Sequence, residues 1–387
     1  LACLKIEGQI VKISLSDEQG MLLETAKEFC KTHSSMDVVR GKLDAQEFDG
    51  ALWQEMADLG WLGVNVPAEY GGLEMGLASV TPIIESMGRY LMGSPYGQTI
   101  VAIEALVSSA SVQQKQEVLP LIAEGAMATI AVTESDGDWD LYHPSASAVL
   151  ENQRFILSGT KCFVTDADAA SYFLISVNYL GEARLLLLKR SDLPEGALSR
   201  ETVIDQTRRS FMLSLDDITV PESALLPDAD FAAIERAMLL TLCAEISGGL
   251  SGCIHTIVDY LNTRKAFGRH IGGYQSLKHP TVDILLSLEA ARSHLYHAAT
   301  LLDDGNTSAA DIALSMAKAQ GSPAYAFAGD RAVQFHGGFG FTFECDAQLF
   351  LRRALWCQYQ FGDEQYHRQR LAPALLDAPV LHDAKPA

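Results

Sequence analysis

The chain has 387 residues, of which 48% are hydrophobic and 20% charged, and its formal net charge is −20. Such a length accommodates two or three domains. So acidic a surface argues against binding nucleic-acid phosphates and against general attraction to anionic membranes.

The first residues, Leu1-Ala-Cys-Leu-Lys-Ile, lack a basic stretch followed by a long apolar core, so no signal peptide is expected. No apolar run is read as a membrane span. Residues 15 to about 125 read as helical. Ser16-Asp17-Glu18-Gln19 has the pattern of a capping box opening a helix through Met21, Leu22, Ala26 and Phe29. Asp49 caps a second helix with Leu52, Trp53, Met56 and Leu59, which Gly60 ends. A turn-rich connection, Trp61-Leu-Gly-Val-Asn-Val-Pro67-Ala-Glu-Tyr70-Gly71-Gly72, leads to further helices over 80–87, 96–110 and 113–124.

Near residue 126 the periodicity changes. Short β-rich runs at 128–133, 155–165, 172–177, 184–189 and 211–221, separated by turn residues, predict a compact barrel or sandwich. From Phe231 onward the pattern is helical again, over about 231–263, 276–304, 308–334, 346–358 and 363–376. The two longest of the later segments are joined by a short Asp303-Asp-Gly-Asn306 turn, which predicts antiparallel neighbours in a bundle. The expected fold is mainly α with a central β domain. Its divisions are an N-terminal helical domain (1–125), a β barrel or sandwich (126–228) and a C-terminal four-helix bundle (229–387). The last residues, 377–387, carry two prolines and read as a loose tail. The seven scattered cysteines show no paired metal-ligand spacing; they read as free thiols of a reducing cytoplasm, with no metal expected.

One stretch concentrates chemistry. Arg264 closes the long 231–263 helix and is followed by Phe267, Gly268 and, after a glycine-rich turn, Gln275. A planar guanidinium suits a phosphate, a glycine admits close approach of a ligand, and a glutamine both donates and accepts. Alone, the run reads equally well as a charged helix end.

Together with four other motifs, this run resembles the acyl-CoA dehydrogenase superfamily over about residues 15–376. The connection ending in Tyr70-Gly71-Gly72 looks like the family's G-x-x-P-x-x-Y-G-G. Thr133-Glu134-Ser135 begins a strand similar to T-E-P-x-A-G-S-D. Gly159-Thr160-Lys161-Cys162-Phe163-Val164-Thr165 resembles G-x-K-x-[WF]-I-T. Arg264 to Gln275 resembles R-x-x-F-G…Q, and Gln334-Phe-His336-Gly337-Gly338-Phe-Gly340 resembles Q-x-x-G-G-x-G. The resemblance implies non-covalent FAD, a homo- or hetero-tetramer, an acyl-CoA substrate and an electron-transferring flavoprotein as acceptor. It also implies roles. Phe163 and Thr165 would sit against the flavin, and Thr133 and Ser135 would bond its polar edge. Arg264, Phe267, Gln275, Gln334, Gly337 and Gly338 would reach the adenine and pyrophosphate across a subunit interface. Asp363 occupies a position that serves the cofactor or the start of a helix.

The family reaction takes a proton from the α-carbon of a thioester while the β-hydrogen leaves as hydride. In most members a Glu in a C-terminal E-G-T stretch is the base; here Gln360-Phe361-Gly362-Asp363 stands there, and Phe361 cannot accept a proton. Glu245 is the candidate in its place. It is the one carboxylate on the helix between Arg236 and Asp259, so a desolvated carboxylate of raised pKa is expected. Its Ala-Glu-x-x-Gly setting resembles members acting on steroid side-chain thioesters. A structural carboxylate is the alternative, with Asp363 and Glu364 as weaker candidate bases and Asp363 equally an N-cap. Glycines 248 and 249 leave room for a ligand or a close helix. Two further departures are Asp136-Gly-Asp138-Trp139-Asp140 in place of A-G-S-D, and Leu351-Arg352-Arg353-Ala354-Leu355 in place of Y-R-D-A-R. The pattern suits a dehydrogenase for bulky substrates. It also suits a silent subunit that completes a partner's FAD site, or a flavin monooxygenase that needs no α-base.

Overall fold

Residues 3–6, 9–12, 16–45 and 47–376 are described by the computed structural model; the 377–387 tail lies outside them. The chain opens with a hairpin of β1 (Cys3–Ile6) and β2 (Gln9–Lys12). Ser16 then starts α1 (Asp17–His33) through the expected box: its hydroxyl accepts from the Gln19 amide, and the Gln19 side chain accepts from the Ser16 amide, each at 3.1 Å. A second helix, α2 (Met36–Ala45), was not anticipated; α3 (Gly50–Asp58) follows, with Asp49 accepting from the Leu52 amide at 3.0 Å. The connection after it closes on itself at Gly72. A Cβ there would lie 2.0 Å from the Val66 carbonyl oxygen, so only glycine fits. Three helices complete the N-terminal part: α4 (Thr81–Arg89), α5 (Tyr96–Ser109) and α6 (Val112–Ala123).

The β region has nine strands: β3 (Ala128–Ala131), β4 (Ser147–Glu151), β5 (Arg154–Ser158), β6 (Thr160–Thr165), β7 (Tyr172–Tyr179), β8 (Glu182–Lys189), β9 (Leu198–Glu201), β10 (Ser210–Ser214) and β11 (Thr219–Pro221). They form two sheets. One has the order β11-β5-β4-β7-β3, with β8 pairing with β7; the other runs β6-β10-β9. The expected 155–165 and 211–221 runs are each two strands, and β4 and β9 add pairings that the sequence pattern did not signal.

Beyond them come α7 (Phe231–Thr263), a short hairpin of β12 (Lys265–Ala266) and β13 (Arg269–His270), α8 (Gln275–Asp303), α9 (Thr307–Phe335), α10 (Ala347–Gln358) and α11 (Glu364–Leu376). By length and composition α7 could cross a membrane, contrary to the sequence reading. It is instead the central helix of the fold, with 89% of its most apolar window buried. It packs against α4, α5, α8, α9 and α10. Glycine permits this: a Cβ on Gly248 would lie 1.8 Å from the Glu85 carbonyl oxygen of α4, and one on Gly249 would strike the Tyr325 ring of α9. The room beside Glu245 that these glycines create is therefore filled by helices and not by a ligand. One hydrophobic core joins the N-terminal helices, both sheets and α7; a second lies under α8–α10.

Candidate active site

A narrow cavity of about 70 Å³, room for a few waters, lies where α4, α5 and α7 meet the sheets and the turn between α10 and α11. Thr133 and Thr165 border it from the end of β3 and from β6; neither hydroxyl has a protein hydrogen-bond partner among the described residues. Phe163, half exposed with a left-handed backbone (φ 56°), stands edge-on to Trp356 with ring centroids 5.6 Å apart. Met87, Met92 and Met238 make up much of the apolar wall.

Glu245 reaches this cavity from α7. The expectation of a lone carboxylate in apolar surroundings does not hold. Its Oε1 accepts from Arg353 Nη1 at 2.5 Å and from Arg208 Nη2. Arg353, only 1% exposed, also donates from Nε to Asp205 and from Nη2 to the Thr207 hydroxyl. Arg208 lies with its Nε 3.3 Å from Asp205 and its guanidinium over the Trp356 ring. Burial opposes the charge of Asp205, but Arg353, Arg208 and the Thr207 hydroxyl outweigh it and hold its carboxyl below the usual range. Burial likewise works against charge on Arg353, and Asp205 and Glu245 reverse that effect and raise its pKa. No charge on α7 itself signalled this cluster, because its partners come from β9–β10 and from α10.

Phe361 borders the same cavity and packs against both cores, with φ at 53°. Its turn is tightly held. Lys318 of α9, buried, donates to the carbonyls of Cys357 (3.1 Å), Gln358 (3.0 Å) and Gly362 (2.7 Å). His367 Nε2 donates to the Phe361 carbonyl at 2.9 Å. Burial lowers the Lys318 ammonium to about 8 and the His367 imidazole to about 4. Sequence reasoning missed both residues, as it missed Trp356, Arg208 and the role of Arg353. The signal for Lys318 was a lysine inside an otherwise Ala-rich, buried stretch of α9.

Other candidates lie elsewhere. Ser135 is exposed and does not border the cavity. Its neighbour Glu134 turns inward to the buried Lys161 at 2.6 Å and accepts from the Ser145 and Ala146 amides. Asp136, Asp138 and Asp140 are exposed and accept from backbone amides two residues on, so they line local turns and not the cavity. Asp363 accepts from the Tyr366 amide at 2.9 Å and starts α11, while Glu364 pairs with Arg368 at 2.6 Å. Arg264, Phe267, Gln275, Gln334, Gly337 and Gly338 are all exposed at the far end of the bundle. Phe267 is 95% exposed at the tip of the β12–β13 hairpin, and the Arg264 side chain has no protein partner among the described residues.

Comparison with known proteins identifies the family. Residues 16–126 match the model of the acyl-CoA dehydrogenase N-terminal domain, and residues 233–376 match that of the C-terminal domain. The chain is 30% identical over 321 residues to the acyl-CoA dehydrogenase FadE12 of Mycobacterium tuberculosis, covering 78% of this chain and 82% of that protein. Among solved structures, a variant of the Tcur3481-Tcur3483 steroid ACAD is 25% identical with a TM-score of 0.84, over 94% of this chain and 99% of that one. The ChsE4-ChsE5 complex of M. tuberculosis has a chain of the same fold: TM-score 0.86 at 20% identity, over 95% and 100%. Members of the family are FAD-dependent flavoproteins, and the unpartnered Thr133 and Thr165 hydroxyls beside an aromatic pair fit the polar edge and face of a flavin. The fold, the cavity and both domain matches make this chain a member of the acyl-CoA dehydrogenase family, an FAD-dependent oxidoreductase.

Proposed function

We propose that the protein carries out α,β-dehydrogenation of a bulky acyl-CoA thioester of the steroid side-chain type, with Glu245 as the base. The observation that carries this reading is the position of Glu245. Its side chain enters the cavity bordered by Thr133, Thr165 and Phe361, with Oε1 tied to two guanidiniums and Oε2 without a hydrogen bond among the described residues. FAD, when bound, would supply the acceptor for the β-hydrogen, with an electron-transferring flavoprotein as the expected onward acceptor. Thr133 and Thr165 would hold its ring, and Phe163 and Trp356 would help shield the site from water. Oε2 takes the α-proton. The three cavity methionines are unbranched and adaptable, so they can repack around an acyl group wider than the resting cavity. The steroid assignment is supported by the Tcur3481-Tcur3483 relative.

The test is anaerobic flavin reduction by a steroid side-chain CoA thioester. Glu245→Gln keeps shape but cannot take the proton, so reduction slows about 10²- to 10⁴-fold while FAD is retained. Undiminished reduction removes the assignment and moves attention to Asp363, Glu364 or another subunit.

A second reading is favoured by Phe361. The turn that carries the base in most relatives is still pinned by Lys318 and His367, yet it presents an apolar ring. A chain of this kind could complete the FAD site of a related subunit that supplies the catalytic Glu. Co-expression with neighbouring family genes, followed by co-purification and assay of the complex against the isolated chain, separates the two.

A further inference from the structure

We propose that Arg208 and Arg353 are positioning residues for Glu245, fixing one carboxylate oxygen so that the other is the one offered to substrate; this rests on the reading of Glu245 as base. Both guanidiniums converge on Oε1, from opposite parts of the chain, while Oε2 of this cavity-lining residue has no hydrogen bond among the described residues. A glutamate has three side-chain torsions to order, and two fixed donors on one oxygen remove that freedom before substrate arrives.

The donors are themselves held. Arg353 is enclosed, with Asp205 on Nε and Thr207 on Nη2, and Asp205 is fully buried. Arg208 is braced by Asp205 on one side and lies over Trp356. The four charges, two carboxylates and two guanidiniums, cancel. Thermodynamic stability is a poor explanation for such a group, because apolar residues of the same volume commonly serve a core as well or better. Its location explains it better: Asp205 and Arg353 are almost fully buried, and the two more exposed members, Glu245 and Arg208, both border the cavity. In the step itself the α C–H bond breaks, an O–H bond forms at Oε2, and the electron pair left on the α-carbon becomes the new double bond as the β-hydrogen leaves with its own pair as hydride, for which bound FAD would be the acceptor. Proton uptake at Oε2 leaves the cluster one positive charge in excess, next to a thioester whose carbonyl oxygen is gaining negative charge.

Arg353 lies in the core, where replacement endangers folding, so the test uses Arg208 at the cavity edge. FAD-loaded wild type, Arg208→Gln, Arg208→Lys and Glu245→Gln are compared with a steroid side-chain CoA thioester, and a crystal structure of Arg208→Gln is determined. Arg208→Gln is expected to lower the maximal rate of flavin reduction about 10- to 100-fold. Thioester affinity, FAD content and melting temperature are expected to stay near wild type, Arg208→Lys to recover most of the rate, and the Glu245 carboxylate of Arg208→Gln to rotate so that Oε1 is no longer fixed. A wild-type rate in Arg208→Gln, or a Glu245 carboxylate unmoved in its structure, overturns the proposal. If Glu245→Gln is slow while Arg208→Gln is fast, only the positioning role fails. If Glu245→Gln is also fast, the assignment of the base itself fails. The structural arm decides even if the thioester chosen proves a poor substrate.

Discussion

The family resemblance would put a catalytic carboxylate at the position of Phe361, and the turn around its ring is tightly held. Its backbone keeps a left-handed φ, its carbonyl accepts from His367, and the next carbonyl accepts from Lys318. A turn held this well can carry a glutamate. Wild type is therefore expected to show no flavin bleaching with butyryl- or octanoyl-CoA under anaerobic conditions, and Phe361→Glu is expected to show it. Rapid bleaching of wild type by either thioester would mean that another base already serves straight chains. At this scale the sequence was informative about which residues border the cavity and poor at what they bond to. Thr133, Phe163 and Thr165 were implied by the family resemblance and Glu245 by its lone carboxylate, and all four border one cavity. The partners of Glu245 were invisible, because Arg208 and Arg353 lie 37 and 108 residues away in the chain. Only the fold brings them together.

Among the elements, helices were legible because their apolar spacing and caps are local. α7 has the bounds expected of it, and the Ser16 capping box forms as read. The strands were harder. β4 and β5 join through Asn152 and Gln153, both with positive φ (50° and 62°), a turn whose usual marker is Asn-Gly. With Gln in the second position the hairpin signal is absent, and β4 goes unnoticed. The α10–α11 turn yields a prediction in pH. Burial holds the His367 imidazole at about 4 against an ordinary value of 6.5. The folded state therefore resists a proton that the unfolded chain accepts, so this contribution is fully present above pH 6.5 and is lost as pH falls toward 4. A shift of this size corresponds to roughly 3 kcal/mol. Asp166 works in the opposite sense across the same range: its burial, only partly offset by Arg209, raises its carboxyl to about 7. The comparison must therefore be between wild type and His367→Asn, by urea unfolding from pH 7 to pH 4. The variant is expected to be less stable at pH 7 and to lose less stability on acidification; parallel curves would show that His367 is not the group responsible.

At the scale of the whole molecule, the two ends of the expected FAD site do not lie together in one chain. Glu245 and Arg264 stand on the same helix nineteen residues apart, roughly 28 Å at 1.5 Å per residue. The cavity group is inside the protein; Arg264, Phe267, Gln275 and Gln334 are outside it, at the opposite end of the bundle. An almost fully exposed phenylalanine beside a guanidinium without a partner among the described residues suits a surface that a second subunit and its ligand would cover. We therefore expect each FAD to be held by two chains, its ring by one and its pyrophosphate by Arg264 of the next. Losing that charge-assisted contact should weaken cofactor binding by roughly 1.5–3 kcal/mol, or about 10- to 150-fold. Arg264→Ala is accordingly predicted to lose FAD on gel filtration at concentrations where wild type keeps it, read from flavin absorbance per chain. With a shared site, wild type is also expected to release FAD when dilution dissociates the oligomer, with flavin loss and the fall in mass by light scattering occurring over the same concentration range. Full retention by Arg264→Ala, or a monomer that keeps its flavin, would place the whole cofactor within one chain and remove the assembly from the account of the site.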